Sequence, residues 1–466
     1  MSDEQTGITG YGEAGSLRAL KDLPRAKGLP WLGPLPRLFR DGFSYLLEAR
    51  QKYGDIYLLD IGVMKMVMLN HPRHVHHVYV KRGLIYRKSG PLWDQMRRLT
   101  GNGLAVSQGE VWRTQRRIVQ PLFHRSRLVT ACELLNCAVN DELAALDDAV
   151  RSGQYVDIAP LLARITMKMT VRVVFGASLS NADVDELEPE MVYVIRYLLP
   201  AMLMNSLPRW APRPGQRRYE QALRRIDALL MRVIAKRRAE GGDPGDLVSM
   251  LAQSEDNVGA RMSEEQVRDE TMTLFLAGYE TTAIGLTWAV HYLSMHPDVM
   301  ERMSAEVESV LGGCPPEFAD LDKLVFTACV WNETLRLAPP IWWNPRRATE
   351  DDEIDGYSIP AGTTVAPLIY VVQRHPEVWE DPDRFDPNRF VDGCPTERTV
   401  CAWVPFGYGP RYCIGKDLAM LEAQIALARL AQRYHFEPDP EHRVQPITVG
   451  TLRPRNGIRV RIEERP

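Results

Sequence analysis

Hydrophobic residues recur at helical spacing through five long stretches, Gly109 to Val119, Cys132 to Arg151, Gln216 to Arg238, Ser263 to Met295 and Pro297 to Leu311, and each predicts a helix. In the fourth, Ser263 followed by Gln266 makes a capping box at the start, and Pro297 stops the pattern after His296. About thirty residues at about 1.5 Å each give a rod roughly 45 Å long. From Thr271 to Met295 it is apolar on nearly every side, interrupted by Glu280 and His291. That predicts a helix buried through the centre of the protein rather than a membrane span. A shorter helical pattern runs from Thr327 to Leu337.

Strand-like runs are few. Ile56 to Ile61 and Met66 to Leu69, joined at Gly62-Val63, predict a hairpin, and Thr364 to Val372 predicts a further strand. Four prolines between Leu23 and Pro36 favour an extended segment, readable either as a surface strap or as a linker. With strands near both ends of a helix-rich chain, the expected class is mainly α with a small sheet. The absence of any repeat or low-complexity break points to one large domain over residues 21–466. Residues 1–20 are polar and Gly-rich, expected to be a disordered lead-in with no apolar stretch long enough for a signal peptide or anchor.

Charge and composition narrow the function classes. Hydrophobic residues at 45% and charged residues at 25% are those of an ordinary globular protein with a sizeable core. A net charge of −3 gives no general attraction to nucleic acid or to anionic membranes. Seven cysteines without a C-x-x-C pair suit neither a zinc site nor a disulfide framework, which leads to an expectation of a reducing cytoplasm.

One of those cysteines stands apart. Phe406-Gly-Tyr-Gly-Pro-Arg-Tyr-Cys413-Ile-Gly415 delivers Cys413 immediately before a helix-like run beginning near Lys416. Orphan N–H groups and the helix dipole at such a position stabilise a thiolate, so Cys413 is a candidate metal ligand as well as a candidate buried thiol. Gly407, Gly409 and Gly415 permit a tight turn and close approach to a flat group. Phe406, Gly409, Arg411, Cys413 and Gly415 match the Phe-x-x-Gly-x-Arg-x-Cys-x-Gly signature, and in this the chain resembles the cytochrome P450 family of haem-thiolate monooxygenases. The resemblance implies that fold, a haem b cofactor with Cys413 as axial ligand to iron, Arg411 on a haem propionate, and Phe406 and Gly407 beside the sulfur.

Other motifs occur in the family's order, over about residues 20 to 460. Ala277-Gly278-Tyr279-Glu280-Thr281-Thr282 resembles the oxygen-activation motif, which implies Thr281 hydrogen-bonding dioxygen, Glu280 relaying protons and Gly278 leaving room above the iron. Glu333-x-x-Arg336, followed by Arg389 in Pro387-Asn-Arg-Phe390, resembles a Glu–Arg–Arg network that locks the cysteine loop. Trp112-x-x-x-Arg116 resembles a propionate clamp, with Arg346, rather than its neighbour Arg347, as a further candidate.

By the same resemblance, Trp93, Met96, Phe275, Ala277, Ile341, Trp342 and Leu452 line a substrate pocket. They are apolar and aromatic, so a neutral terpene, steroid or macrolide-like skeleton is expected rather than a free fatty acid. Hydroxylation or epoxidation would draw two electrons from separate ferredoxin and ferredoxin-reductase partners, since no flavin or iron–sulfur domain is present. A monomer is expected. Arg97, Arg98, Arg113, Arg117, Arg125 and Arg127 form a basic concentration, either a solvated face or the docking face for an acidic donor. Peroxide-driven or isomerising relatives tend to lack the acid–alcohol pair retained here as Glu280-Thr281, and a haem sensor would not need it.

Overall fold

In a computed structural model of the chain, the described residues are 17–29, 32–62, 64–205, 210–242, 245–254, 261–393, 399–465. The fold is mainly helical with small sheets, as the hydrophobic period implies. Residues 1–16 of the expected lead-in lie outside the described set, as do Pro30, Trp31 and Val63. Residues 17–20 of the lead-in are described, and Arg18 there bridges to Tyr357 with its guanidinium 3.7 Å over that ring.

The central helix is Glu264–Met295, capped by Ser263, whose side chain accepts from Gln266 N–H while Gln266 answers the Ser263 N–H. It packs along Ile158–Phe175, with Phe275 edge to face against Phe175, ring centres 5.5 Å apart. On another side Gly285 admits Trp331 of the helix Val325–Leu337, where a Cβ would lie 2.3 Å from Trp331 Cη2. The other helices follow the sequence pattern with longer ends where packing extends them, such as Arg125–Ser152 and Gln216–Glu240.

The largest sheet has five strands in the order Ile56–Asp60, Lys65–Leu69, Thr364–Pro367, Arg346–Ala348, Tyr86–Arg87. The first two are the expected antiparallel hairpin, and the third joins it in parallel. The strand expected through Val372 stops at Pro367, and Ile369–Val372 turns into a short helix. Leu368 N–H still donates to Leu69 O at 2.9 Å, but the Val371 and Val372 N–H groups then both turn back to the Leu368 carbonyl, which ends the ladder. A separate antiparallel hairpin near the C-terminus pairs Pro446–Val449 with Thr451–Pro454 through Gly450, whose φ of +74° needs glycine.

Candidate active site

The cysteine loop is a tight structure held from several sides. Gly407 and Gly409 adopt φ of +73° and +69°, and a Cβ at Gly409 would stand 2.5 Å from the Tyr79 carbonyl oxygen. Cys413 N–H donates to Phe406 O at 2.8 Å, closing the turn, and the helix Lys416–Arg433 starts three residues later. As the chain stands, burial pushes the Cys413 thiol up, while the Gly415 N–H, Arg116 and Lys88 pull it down. A cation bound to the sulfur would reverse that balance.

Around Cys413 gather four cations that, among the described residues, have no carboxylate partner. Arg411 lies 4.0 Å over the Trp112 ring and donates to Ser107 O at 2.8 Å. Arg116 donates to Tyr412 O at 2.9 Å. Arg346 is buried, donating to Pro345 O and to the Asn344 side chain, while Arg347 turns outward to Gly362 O. Lys88, which no motif singled out, donates to Ala105 O at 2.8 Å and sits 4.8 Å from the Trp93 ring centre. Burial, then Arg346 and Arg116, bring Arg411 down to about 10, and burial with its cationic neighbours lowers Lys88 well below its ordinary value. Cations this close, one buried and three partly buried, are costly without an anion among them. A flat group carrying two carboxylates and a thiolate-seeking metal would relieve both the cations and the thiol.

The central helix is open to solvent along one short stretch. Between Asp269 and Val290 only Ala277, Gly278 and Thr281 are not buried. Ala277 and Thr281 are one helical turn apart, and Thr281 Oγ1 donates to Ala277 O at 2.7 Å. Gly278 lies beside them, and a Cβ there would point toward the Ile158–Phe175 helix, at ordinary contact distance, 3.4 Å, from Thr170 Cγ2. Glu280 is buried and accepts from Thr451 Oγ1 at 2.7 Å and from the Arg453 guanidinium, partners that its sequence did not indicate.

The charge network behind the loop uses every donor of one arginine. Arg336 grips Glu333 in bidentate fashion at 2.7 and 2.8 Å, and its remaining N–H groups reach the carbonyls of Gln373, Pro382 and Arg384. Arg389 Nε stands 3.4 Å from the same Glu333. Gln373 links the assembly forward, donating to the Leu335 and Arg336 carbonyls and accepting from Val404 N–H at 2.7 Å, two residues before Phe406.

A sequence profile of the family described as Cytochrome P450 matches residues 23–462. The chain belongs to the cytochrome P450 family. It is 34% identical over 438 residues to "Cyclooctatin synthase" of Streptomyces melanosporofaciens, covering 91% of this chain and 93% of that protein. "Cyclooctat-9-en-7-ol 5-monooxygenase" of the same organism is 33% identical, over 88% of this chain and 89% of its own length. "Pentalenene oxygenase" of Streptomyces avermitilis is 30% identical, over 90% and 93%. Among solved structures, the retinoic acid-bound cyanobacterial CYP120A1 superposes with a TM-score of 0.84 at 26% identity, covering 97% of this chain and all of that one. The cytochrome P450DA heme domain gives 0.85 at 26% identity, over 97% and 99%. This cytochrome P450 is a monooxygenase with a haem cofactor, using O2 and electrons from a redox partner. No described helix is long and apolar enough to cross a membrane.

The expected pocket wall of this cytochrome P450 is only partly at an open surface. Ala277 and Ile341 are exposed and Met96 is partly buried. Phe275, fully buried, backs the central helix against Phe175 instead of facing the open side, because its helical phase points it at the neighbouring helix. Trp93, Trp342 and Leu452 are also enclosed. Trp93 donates to Pro345 O, Trp342 to Gly450 O, and Leu452 O accepts from Trp288. The expected basic concentration divides as well. Arg97 turns inward to the Lys88 and Val106 carbonyls, and Arg98 lies near Tyr219. Arg113, paired with Glu110, and Arg117 stay exposed on the Gly109–Val119 helix beside Arg116.

Proposed function

We propose that this cytochrome P450 hydroxylates or epoxidises a neutral apolar carbocycle, of terpenoid, steroid or macrolide-like kind, with a ferredoxin and its reductase as electron donors. The observation that carries the proposal is the grouping of Lys88, Arg116, Arg346 and Arg411 around Cys413 with no carboxylate of their own. Haem b fits it, as two propionates answer the cations and iron answers the thiolate. When bound, haem supplies the oxygen-activating chemistry, which thiolate ligation favours. Thr281 is proposed to orient oxygen through its hydroxyl, and Glu280 to pass protons toward that place, with Ala277 and Thr281 marking the open side. Glu333, Arg336 and Arg389 hold the loop through Gln373 and Val404 and so fix where the sulfur rests.

The names of the Streptomyces relatives, which refer to cyclooctat-9-en-7-ol and pentalenene, support a terpenoid as the first substrate class to try. The apolar residues Met96, Ala277 and Ile341 supply no charge to hold a fatty acid. Exposed Arg113 and Arg117 support docking of an acidic ferredoxin by steering. The described cysteines are all free thiols, which supports a reducing cytoplasm, and a monomer is part of the same proposal. The test is an optical spin-state titration with pentalenene, a steroid, a macrolide aglycone and a fatty acid, followed by product analysis with reconstituted ferredoxin and reductase. The terpene should shift the spin state and gain one oxygen atom. Binding and turnover of the fatty acid alone would overturn the substrate class.

A further inference from the structure

The carboxylate of Glu280 is not free in the central helix. Thr451 Oγ1 and the Arg453 guanidinium converge on the same Oε1, and Arg453 Nε also donates to Thr451 Oγ1 at 3.0 Å. Thr451 and Arg453 are two apart on one strand, so both point from the same face of the C-terminal hairpin toward the helix. The hairpin is tied at the same time to the segment that carries Ile341 and Trp342. Leu452 N–H donates to Pro340 O at 2.9 Å, and Trp342 Nε1 donates to Gly450 O at 3.1 Å. Gly450 is the whole turn, so a displacement of Trp342 acts on the residue adjoining Thr451.

From these contacts we infer that Arg453 is a positioning residue that couples occupancy of the apolar pocket to the Glu280 carboxylate. A molecule lodged against the exposed Ile341 displaces the 340–342 segment, the hairpin follows through Gly450 and Leu452, and Arg453 loosens its hold on Glu280. The acid is thereby released for proton transfer only when a molecule occupies the pocket. This rests on the proposed role of Glu280 as proton relay, but the coupling itself is a property of binding and is measured as such. Thermodynamic linkage requires that, if a bound molecule weakens the Glu280–Arg453 pair, removing the pair strengthens binding by the same factor.

The experiment uses the haem-loaded protein with clotrimazole, a bulky azole that reaches the wall, and imidazole, which does not. Affinities are read from the optical shift in wild type, Arg453→Met, Glu280→Gln and the double variant. Clotrimazole should bind on the order of fivefold more tightly to each single variant, and the double variant should show no further gain. Imidazole should bind all four alike, and Arg453→Lys should return clotrimazole affinity toward wild type. Additive single effects, unchanged clotrimazole binding, or an equal change for imidazole would overturn the coupling. If Arg453→Met loses haem, Arg453→Gln replaces it in the same cycle. Because the readout is binding, the coupling stands or falls even if no substrate is converted, so its failure is distinguishable from failure of the monooxygenase reading. With reconstituted ferredoxin and reductase and no substrate, Arg453→Met should also draw more electrons from NADPH and reduce more O2 to peroxide than wild type.

Discussion

In the strand Tyr86–Arg87, Arg87 pairs with Arg347 and Tyr86 with Ala348. Arg87 and Arg347 face outward, and one register step further sets Lys88 opposite Arg346 on the inner face. Lys88 belongs to no motif, so only the pairing of two short, distant strands reveals it. Arg411 and Cys413 were legible because their spacing is contiguous. Lys88→Met should leave the fold intact and speed haem transfer to apomyoglobin by about tenfold or more, the loss expected when a charge-assisted contact disappears. An unchanged transfer rate would remove Lys88 from the cofactor's surroundings. Glu422 gives a pH test at the same scale. It is buried, with Thr282 Oγ1 donating to it at 2.9 Å, and burial raises its carboxyl to about 8 against that hydrogen bond. An unfolded Glu titrates near about 4.3, so between there and about 8 the folded chain keeps a proton that the unfolded chain has lost. The contribution is fully present below the unfolded value and falls by up to about 1 kcal/mol per pH unit as pH rises through the window. Glu270, also raised to about 8 by burial, behaves alike in both proteins and cancels in a comparison with Glu422→Gln. Urea unfolding should show wild type losing stability relative to Glu422→Gln between pH 5 and 8, on the scale just given. A constant difference would contradict the buried neutral acid.

The central helix was legible as an element because its capping box, length and all-round hydrophobicity come from local sequence. Its orientation was not. Phe275 was expected at the pocket but backs the helix, and the Cβ direction of Gly278 is toward Thr170, because helical phase relative to neighbours is set by packing. The strand expected through Val372 failed for a local reason, the turn after Pro367, that strand propensity outweighed in the reading. Gly285 shows what the packing demands. A methyl there would meet the rigid Trp331 ring at 2.3 Å, so the gain of about 1 kcal/mol in helix propensity is outweighed by overpacking of about 1–3 kcal/mol. Gly285→Ala should therefore lower the urea midpoint, and an unchanged or higher midpoint would show that the interface yields. Arg336 is bound more deeply. With all its donors engaged, Arg336→Met should cost about 3–5 kcal/mol and loosen the cysteine loop with it.

At the scale of the whole molecule, the mainly helical class with small sheets and the haem-thiolate family were both readable, the second because motifs far apart in sequence retained their order. The hold of Thr451 and Arg453 on Glu280 was not readable, since residues more than 170 apart meet only through the fold. The same fold gathers the cations around one sulfur and ties the charge network to its loop through Gln373 and Val404. On the reading proposed above, Cys413 binds the haem iron as a thiolate at the centre of that arrangement. The most direct measurement is the carbon monoxide difference spectrum of the reduced protein beside its Cys413→Ser variant, with haem content determined for both. Wild type should give the red-shifted Soret band of thiolate ligation, and the variant should lose that band. A variant that binds haem and keeps the band, or a wild type that never shows it, would contradict the account.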